Sequence, residues 1–196
     1  MSELCFGCMK EYENGSVCPH CGFSNETHQA LPFLPLGTSL RDRYIVGKMI
    51  KSDCQGAEYI CYDDELKTPV LLREFLPEGI CGRSKNSGVN VVVKSESKEL
   101  YNTMIKSFLS YFRTIARLRD LTAIASIYDI FTDNNTAYTV EDYEELIEMP
   151  FEFLMIPVGK NYDHGLWARY GDYKTIVQGS SCHGGVFFDV EKSYKE

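Results

Sequence analysis

The chain has 196 residues, with 28 acidic against 20 basic side chains and a net charge of −8. No basic run interrupts that background, so the Lys/Arg stripe needed to neutralise phosphates is missing and nucleic-acid binding is disfavoured. Apolar residues at 44% and aromatics at 13% are ample for a packed core, which excludes a disordered chain.

Four of the first 21 residues are cysteines, in two knuckles, Cys5-Phe-Gly-Cys8 and Cys18-Pro-His-Cys21. Two such knuckles across a short polar turn (Lys10, Glu11, Asn14, Gly15) can bring four thiolates onto one tetrahedral Zn²⁺. Chance repeats or two disulfides are the alternatives. Gly22 lets the chain turn after the second knuckle, and His20 is a bystander because four sulfurs already fill the site. A closed four-thiolate site leaves no position for substrate, so the metal is structural. Residues 1–23 are expected to form this ribbon. Its single basic residue, Lys10, stands against Glu3, Glu11 and Glu13, which favours a protein partner over nucleic acid.

Residues 24–37 read as a linker: a polar stretch, then Leu31-Pro-Phe-Leu-Pro-Leu-Gly37, kept extended by its prolines. Strands are expected over 43–50, 57–63 and 68–75, the third stopped by Pro77 and Gly79. A short β-branched strand follows over 89–94. The spacing of Tyr101, Met104, Ile105, Phe108, Phe112, Ile115 and Leu118 gives a wide apolar stripe and predicts a helix over 97–118. Two further strands, 127–132 and 136–142, meet at Asp133-Asn134-Asn135, whose asparagines tolerate the positive φ of a tight hairpin.

That order of elements, carried by particular residues, resembles the N-terminal lobe of a protein kinase, and more narrowly the bacterial zinc-ribbon-plus-kinase proteins. The carrying segments are Leu34-Pro-Leu-Gly-Thr38, Arg43-Tyr-Ile-Val-Gly-Lys48, Pro69-Val-Leu-Leu-Arg-Glu-Phe-Leu-Pro77, Phe108-Leu-x-x-x-Arg113-Thr and Thr136-Ala-Tyr-Thr-Val-Glu-Asp-Tyr143. The resemblance implies an α+β fold over 38–145, an antiparallel five-stranded sheet with one αC-type helix.

The positions that would hold a nucleotide have changed. In the loop Lys51-Ser-Asp53-Cys-Gln-Gly56 only Gly56 remains of the phosphate-cradling glycines, and Asp53 sets a carboxylate where phosphates would lie. Arg73 replaces the strand lysine, and a guanidinium does not substitute for an ammonium. Its αC partner falls on Tyr111, or on Ser110 one residue earlier; neither can form the ion pair. Leu71, Glu58 and Glu141 crowd or charge the base pocket. Arg73 paired with Glu58 or Glu141 would fill the cleft with a structural ion pair.

After Glu145, 51 residues remain, without His-Arg-Asp or Asp-Phe-Gly segments. The expectation is a non-catalytic zinc-ribbon pseudokinase fragment, a protein-interaction or regulatory module, with ATP disfavoured. The alternative is a kinase-related regulatory subunit with weak ATP affinity through Gly56 and Arg73.

The resemblance does not extend to residues 146–196, which read as a β-rich tail. The run 151–156 fits a buried strand or a short helix, and 167–173, 175–178 and 185–190 fit short strands. Ser180-Ser-Cys182-His183-Gly-Gly185 reads as a glycine-rich turn rather than a nucleophile, because adjacent residues on an extended chain point opposite ways. No apolar run of about 18 residues suggests a membrane span, and no basic-then-apolar N-terminus suggests export. A cytoplasmic protein with Cys54, Cys61, Cys81 and Cys182 reduced is therefore expected.

Overall fold

The structure, a computed structural model, describes residues 2–13, 15–118 and 126–175. It divides into two units, Met1–Glu144 and Glu145–Glu196.

The first unit is α+β. At its start β1 (Ser2–Leu4) and β2 (Glu11–Glu13) pair as a small hairpin. The central sheet is built from β3 (Ser39–Leu40), β4 (Tyr44–Asp53), β5 (Gly56–Asp63) and β6 (Thr68–Phe75), then β10 (Thr136–Asp142) and β9 (Ile127–Asp133). Its order is β3-β4-β5-β6-β10-β9, antiparallel throughout. The sheet thus has six strands where five were expected. The addition is β3, which folds back on β4 through Arg41 and Asp42, both at positive φ. Asn134 and Asn135 take positive φ between β9 and β10, as their side chains allow. The 89–94 run shortens to β8 (Val91–Val93) and leaves the sheet to pair with β7 (Cys81–Arg83).

Alternation along the strands gives the sheet two covered faces. On the inner face Phe75 and Ala137 meet Tyr101, Met104 and Phe108 of α1 (Lys98–Ala116). The predicted apolar stripe packs from Tyr101 to Phe112, both buried, whereas Leu118 lies beyond the helix end and is exposed. The outer face carries Tyr44, Val46, Tyr59, Val70, Leu72, Tyr138 and Val140, and the cover over it includes Leu34. Leu34 belongs to the segment expected as a linker, yet it is fully buried, a contribution of about 2 kcal/mol. An apolar sheet face must be covered, and the segment just upstream is the nearest chain.

The turn after β5 is held by one carboxylate. Asp63 accepts hydrogen bonds from the Glu65 and Leu66 amides at 3.0 and 3.1 Å, and from Arg43 Nε and Nη2 at 2.9 and 2.7 Å. Burial opposes ionisation, but the Arg43 guanidinium and these amides hold the Asp63 carboxyl below its usual range. A depressed carboxyl stabilises the fold above its unfolded value and loses that contribution as pH falls through the folded value. Arg43→Gln is therefore expected to cost about 2 kcal/mol at pH 7 and much less at pH 3, by urea unfolding at the two pH values.

The second unit corrects the expected β-rich tail. The run 151–156 is neither one buried strand nor a helix. Glu152 turns at positive φ, so that β11 (Leu146–Phe151) and β12 (Leu154–Gly159) form a hairpin. Phe153 at its tip is 86% exposed. Trp167 to Tyr170, expected in a strand, end a helix, α2 (Tyr162–Tyr170), which stops at Gly171 with φ 68°. Asp163 favours that helix start, and the Gly171 amide closes its end by donating to the Trp167 carbonyl at 2.8 Å. Gly171, inside the run expected as a strand, is instead the helix stop. The expected strand over 185–190 and the Cys182-His183 turn lie outside the described residues, as does most of 175–178. Among the described residues, no helix is long and apolar enough to cross a membrane.

Candidate functional site

The four knuckle cysteines converge. Their sulfurs lie within 4.8 Å of one another, with Cys5 to Cys21 at 3.6 Å and Cys8 to Cys18 at 3.9 Å. A tetrahedral ion with metal–sulfur bonds of about 2.3 Å has sulfur–sulfur edges of about 3.8 Å. The separations therefore fit one four-coordinate ion and are far beyond the roughly 2.05 Å of a disulfide. Gly22 takes φ 71° after the second knuckle. Its amide donates to the Cys18 carbonyl at 2.8 Å, and the Gly7 amide donates to Cys5 Sγ at 3.2 Å.

The knuckle surroundings act differently on the thiols. Burial, together with the neighbouring sulfurs, pushes Cys8 up to about 12. At Cys18 burial is outweighed by the amides of His20 and Cys21, which bring the thiol down to about 7. Deprotonating all four sulfurs at this spacing requires a cation among them.

A second constellation lies on the inner face of the sheet, beside α1. A cleft of about 730 Å³ is lined there by Asp53, Gly56, Glu58, Arg73, Phe112 and Glu141, among others. Strand register places Lys51 opposite Glu58 and Glu58 opposite Arg73. Lys51 Nζ lies 3.1 Å from the Glu58 carboxylate, and the Arg73 guanidinium contacts the other Glu58 oxygen. Arg73 Nε is 3.9 Å from Glu141. The ion pair expected as filling for the cleft is thus present, with Glu58 as its centre.

Arg73 reaches α1 by another route than a carboxylate. Its guanidinium stands 5.7 Å above the Phe112 ring, a cation–π contact. Tyr111 is 61% exposed and meets Phe112 edge-on.

The loop between β4 and β5 is closed on itself. Asp53 Oδ1 accepts from the Gln55 and Gly56 amides at 2.8 and 3.0 Å. The Gln55 and Cys54 carbonyls accept from the Leu76 and Glu78 amides, each at 3.0 Å. Gly56 has a packing reason of its own: a Cβ there would collide with the Glu74 carbonyl oxygen of β6.

Sequence reasoning missed the buried pair behind the cleft. Glu74 follows Arg73 but points to the outer face, where the Arg83 guanidinium donates to both of its oxygens at 2.6 Å. Tyr59 and Tyr138 hydroxyls donate to the same carboxylate at 2.9 and 3.1 Å. Arg83 Nε donates to the Pro32 carbonyl at 2.7 Å. Burial pushes the Glu74 carboxyl up, against Arg83 and both tyrosines, while the anion beside it raises Arg83. With four charge-assisted or hydroxyl bonds converging on it, the carboxylate is ionised. The signal was available: a glutamate in phase with Val70 and Leu72 on an apolar face needs a buried cation.

No protein-family model matches the chain, and no curated protein matches it in sequence. Among solved structures, the apo form of PpkA-294, a bacterial serine/threonine kinase, is similar. The TM-score is 0.54 at 18% identity, over 58% of this chain and 39% of that one. The chain thus spans well under half of that protein, and the likeness concerns fold alone.

Proposed function

We propose that this chain is a zinc-binding, kinase-like module that works through protein contacts and not through phosphoryl transfer. The likeness to PpkA-294 and the motifs around Arg73 and Arg113 support the kinase-like part. The four-sulfur tetrahedron supports Zn²⁺, the usual ion of a closed Cys₄ site. The observation that carries the non-catalytic reading is that the groups which would grip a triphosphate are already bonded within the chain. Asp53 occupies the loop amides, as an anionic ligand would, and Glu58 occupies Arg73. A nucleotide would have to displace a carboxylate from each and then lie beside Glu58 and Glu141.

The acidic net charge argues against nucleic acid and leaves a protein as the partner, in the cytoplasm. A second reading, weak ATP affinity through Gly56 and Arg73, is favoured by the size of the cleft and by Lys51 and Arg73 on its wall.

Thermal unfolding of metal-loaded protein separates the two. A ligand at a hundred times its Kd adds about 2.7 kcal/mol, several degrees for a unit of this size. Millimolar ATP with Mg²⁺ is expected to leave the transition unmoved. A dose-dependent rise that Arg73→Ala abolishes would establish the second reading.

A further inference from the structure

Strand β4 is not complete by itself. Its register against β5 slips twice between Val46 and Lys51, so that Gly47, Lys48 and Ile50 have no register partner on β5 while Met49 still faces Tyr59. Backbone groups left by such bulges must find other partners. Here the partners come from the ribbon and from the segment behind it. The Lys48 amide donates to the Phe6 carbonyl at 2.8 Å. The Gln29 side-chain amide brackets the same stretch, donating to the Gly47 carbonyl at 3.3 Å and accepting from the Met49 amide.

The fit is close as well as polar. A Cβ on Gly47 would collide with Met9 Cε and with the Phe6 carbonyl oxygen. Met9 is buried there. Phe6 lies between Cys5 and Cys8, and Met9 directly follows Cys8, so the first knuckle is also the surface that seals β4. The other end of β4 contributes Lys51, Ser52 and Asp53 to the cleft wall.

We propose that the four-cysteine metal site is a latch on the sheet: metal binding holds Phe6 and Met9 against the β4 bulge and so orders the strand that walls the cleft. The proposal rests on the metal-binding reading above. Without the ion the knuckle has no reason to hold its shape, since its sulfurs repel as thiolates and lose their common ligand as thiols. The bulge then loses a backbone partner and its apolar cover together, and opens locally.

The test is amide hydrogen exchange of the full chain, read on peptides from 44–53 and 136–142, with metal content measured on the same samples. Stripping the metal with a chelator is expected to speed exchange over 44–53 by about tenfold or more while 136–142 stays protected. Met9→Ala combined with Gln29→Ala is expected to retain one metal, to exchange fast over 44–53 already, and to respond little to chelator. Gly47→Ala, which strikes the contact from the strand side, should behave likewise. Unchanged exchange over 44–53 after complete metal loss would overturn the latch and leave the metal site intact. Protein that neither carries nor takes up zinc would overturn the metal reading, and the latch with it.

Discussion

Replacing Arg83 by Leu is expected to destabilise the first unit by about 3–5 kcal/mol, the range for removing one partner of a buried ion pair. The Arg83 and Glu74 side chains are both fully buried, so Glu74 would be left as an anion in an apolar layer with only the Tyr59 and Tyr138 hydroxyls beside it. Arg83 also donates to the Pro32 carbonyl, which secures the cover that brings Leu34 onto the outer face. The cost therefore combines an uncompensated charge with a loosened cover. Urea unfolding would show a midpoint far below wild type at unchanged slope. Adding Glu74→Gln to Arg83→Leu removes the stranded charge but keeps an acceptor for both tyrosines, so the double variant is expected to be more stable than Arg83→Leu alone. A double variant as unstable as the single one would mean that the loss lies in the Arg83 contacts to the Pro32 and Val89 carbonyls.

Cys18→Ser is expected to reduce bound zinc from one equivalent to nearly none at micromolar free metal. Apparent binding to structural zinc sites is worth about 10–16 kcal/mol at neutral pH, and it depends on every thiolate of the set. Cys18 is a buried member of the four-sulfur cluster, so its replacement removes one of the four ligands from a site closed to solvent replacement. Cys54→Ser, at an exposed cysteine away from the cluster, and His20→Ala are expected to keep the full equivalent. Elemental analysis after gel filtration reads all three. Retention of metal by Cys18→Ser would place the fourth ligand elsewhere.

Both effects bear on what holds the first unit in shape. Helix α1 is tied to the sheet by Arg73 over Phe112, and the loop is tied down by Asp53. Contacts of this kind preserve shape without a ligand, as the proposed protein-contact function would require.

Much of this was open to inspection in the residues. The Cys-x-x-Cys pairs announced four converging sulfurs, because two residues between ligands set the reach of a knuckle whatever surrounds it. Five of the six strands of the sheet and the apolar stripe of α1 followed from periodicity, a local property. The kinase resemblance set Glu58, Arg73 and Glu141 around one cleft, and the structure brings them together there. The run 167–173, expected as a strand, instead ends a helix, with Gly171 as its stop.

What the tertiary structure alone decided concerns partners distant in the chain. No spacing rule brings Arg83 to Glu74 across the β6–β7 connection, or Leu34 onto the outer face. None shows that Asp53 would satisfy its own loop, or that the Phe6 carbonyl would complete a bulge at Lys48. These are matters of which unpaired group meets which, and that is fixed only when the sheet faces are covered and every buried polar atom must find a neighbour.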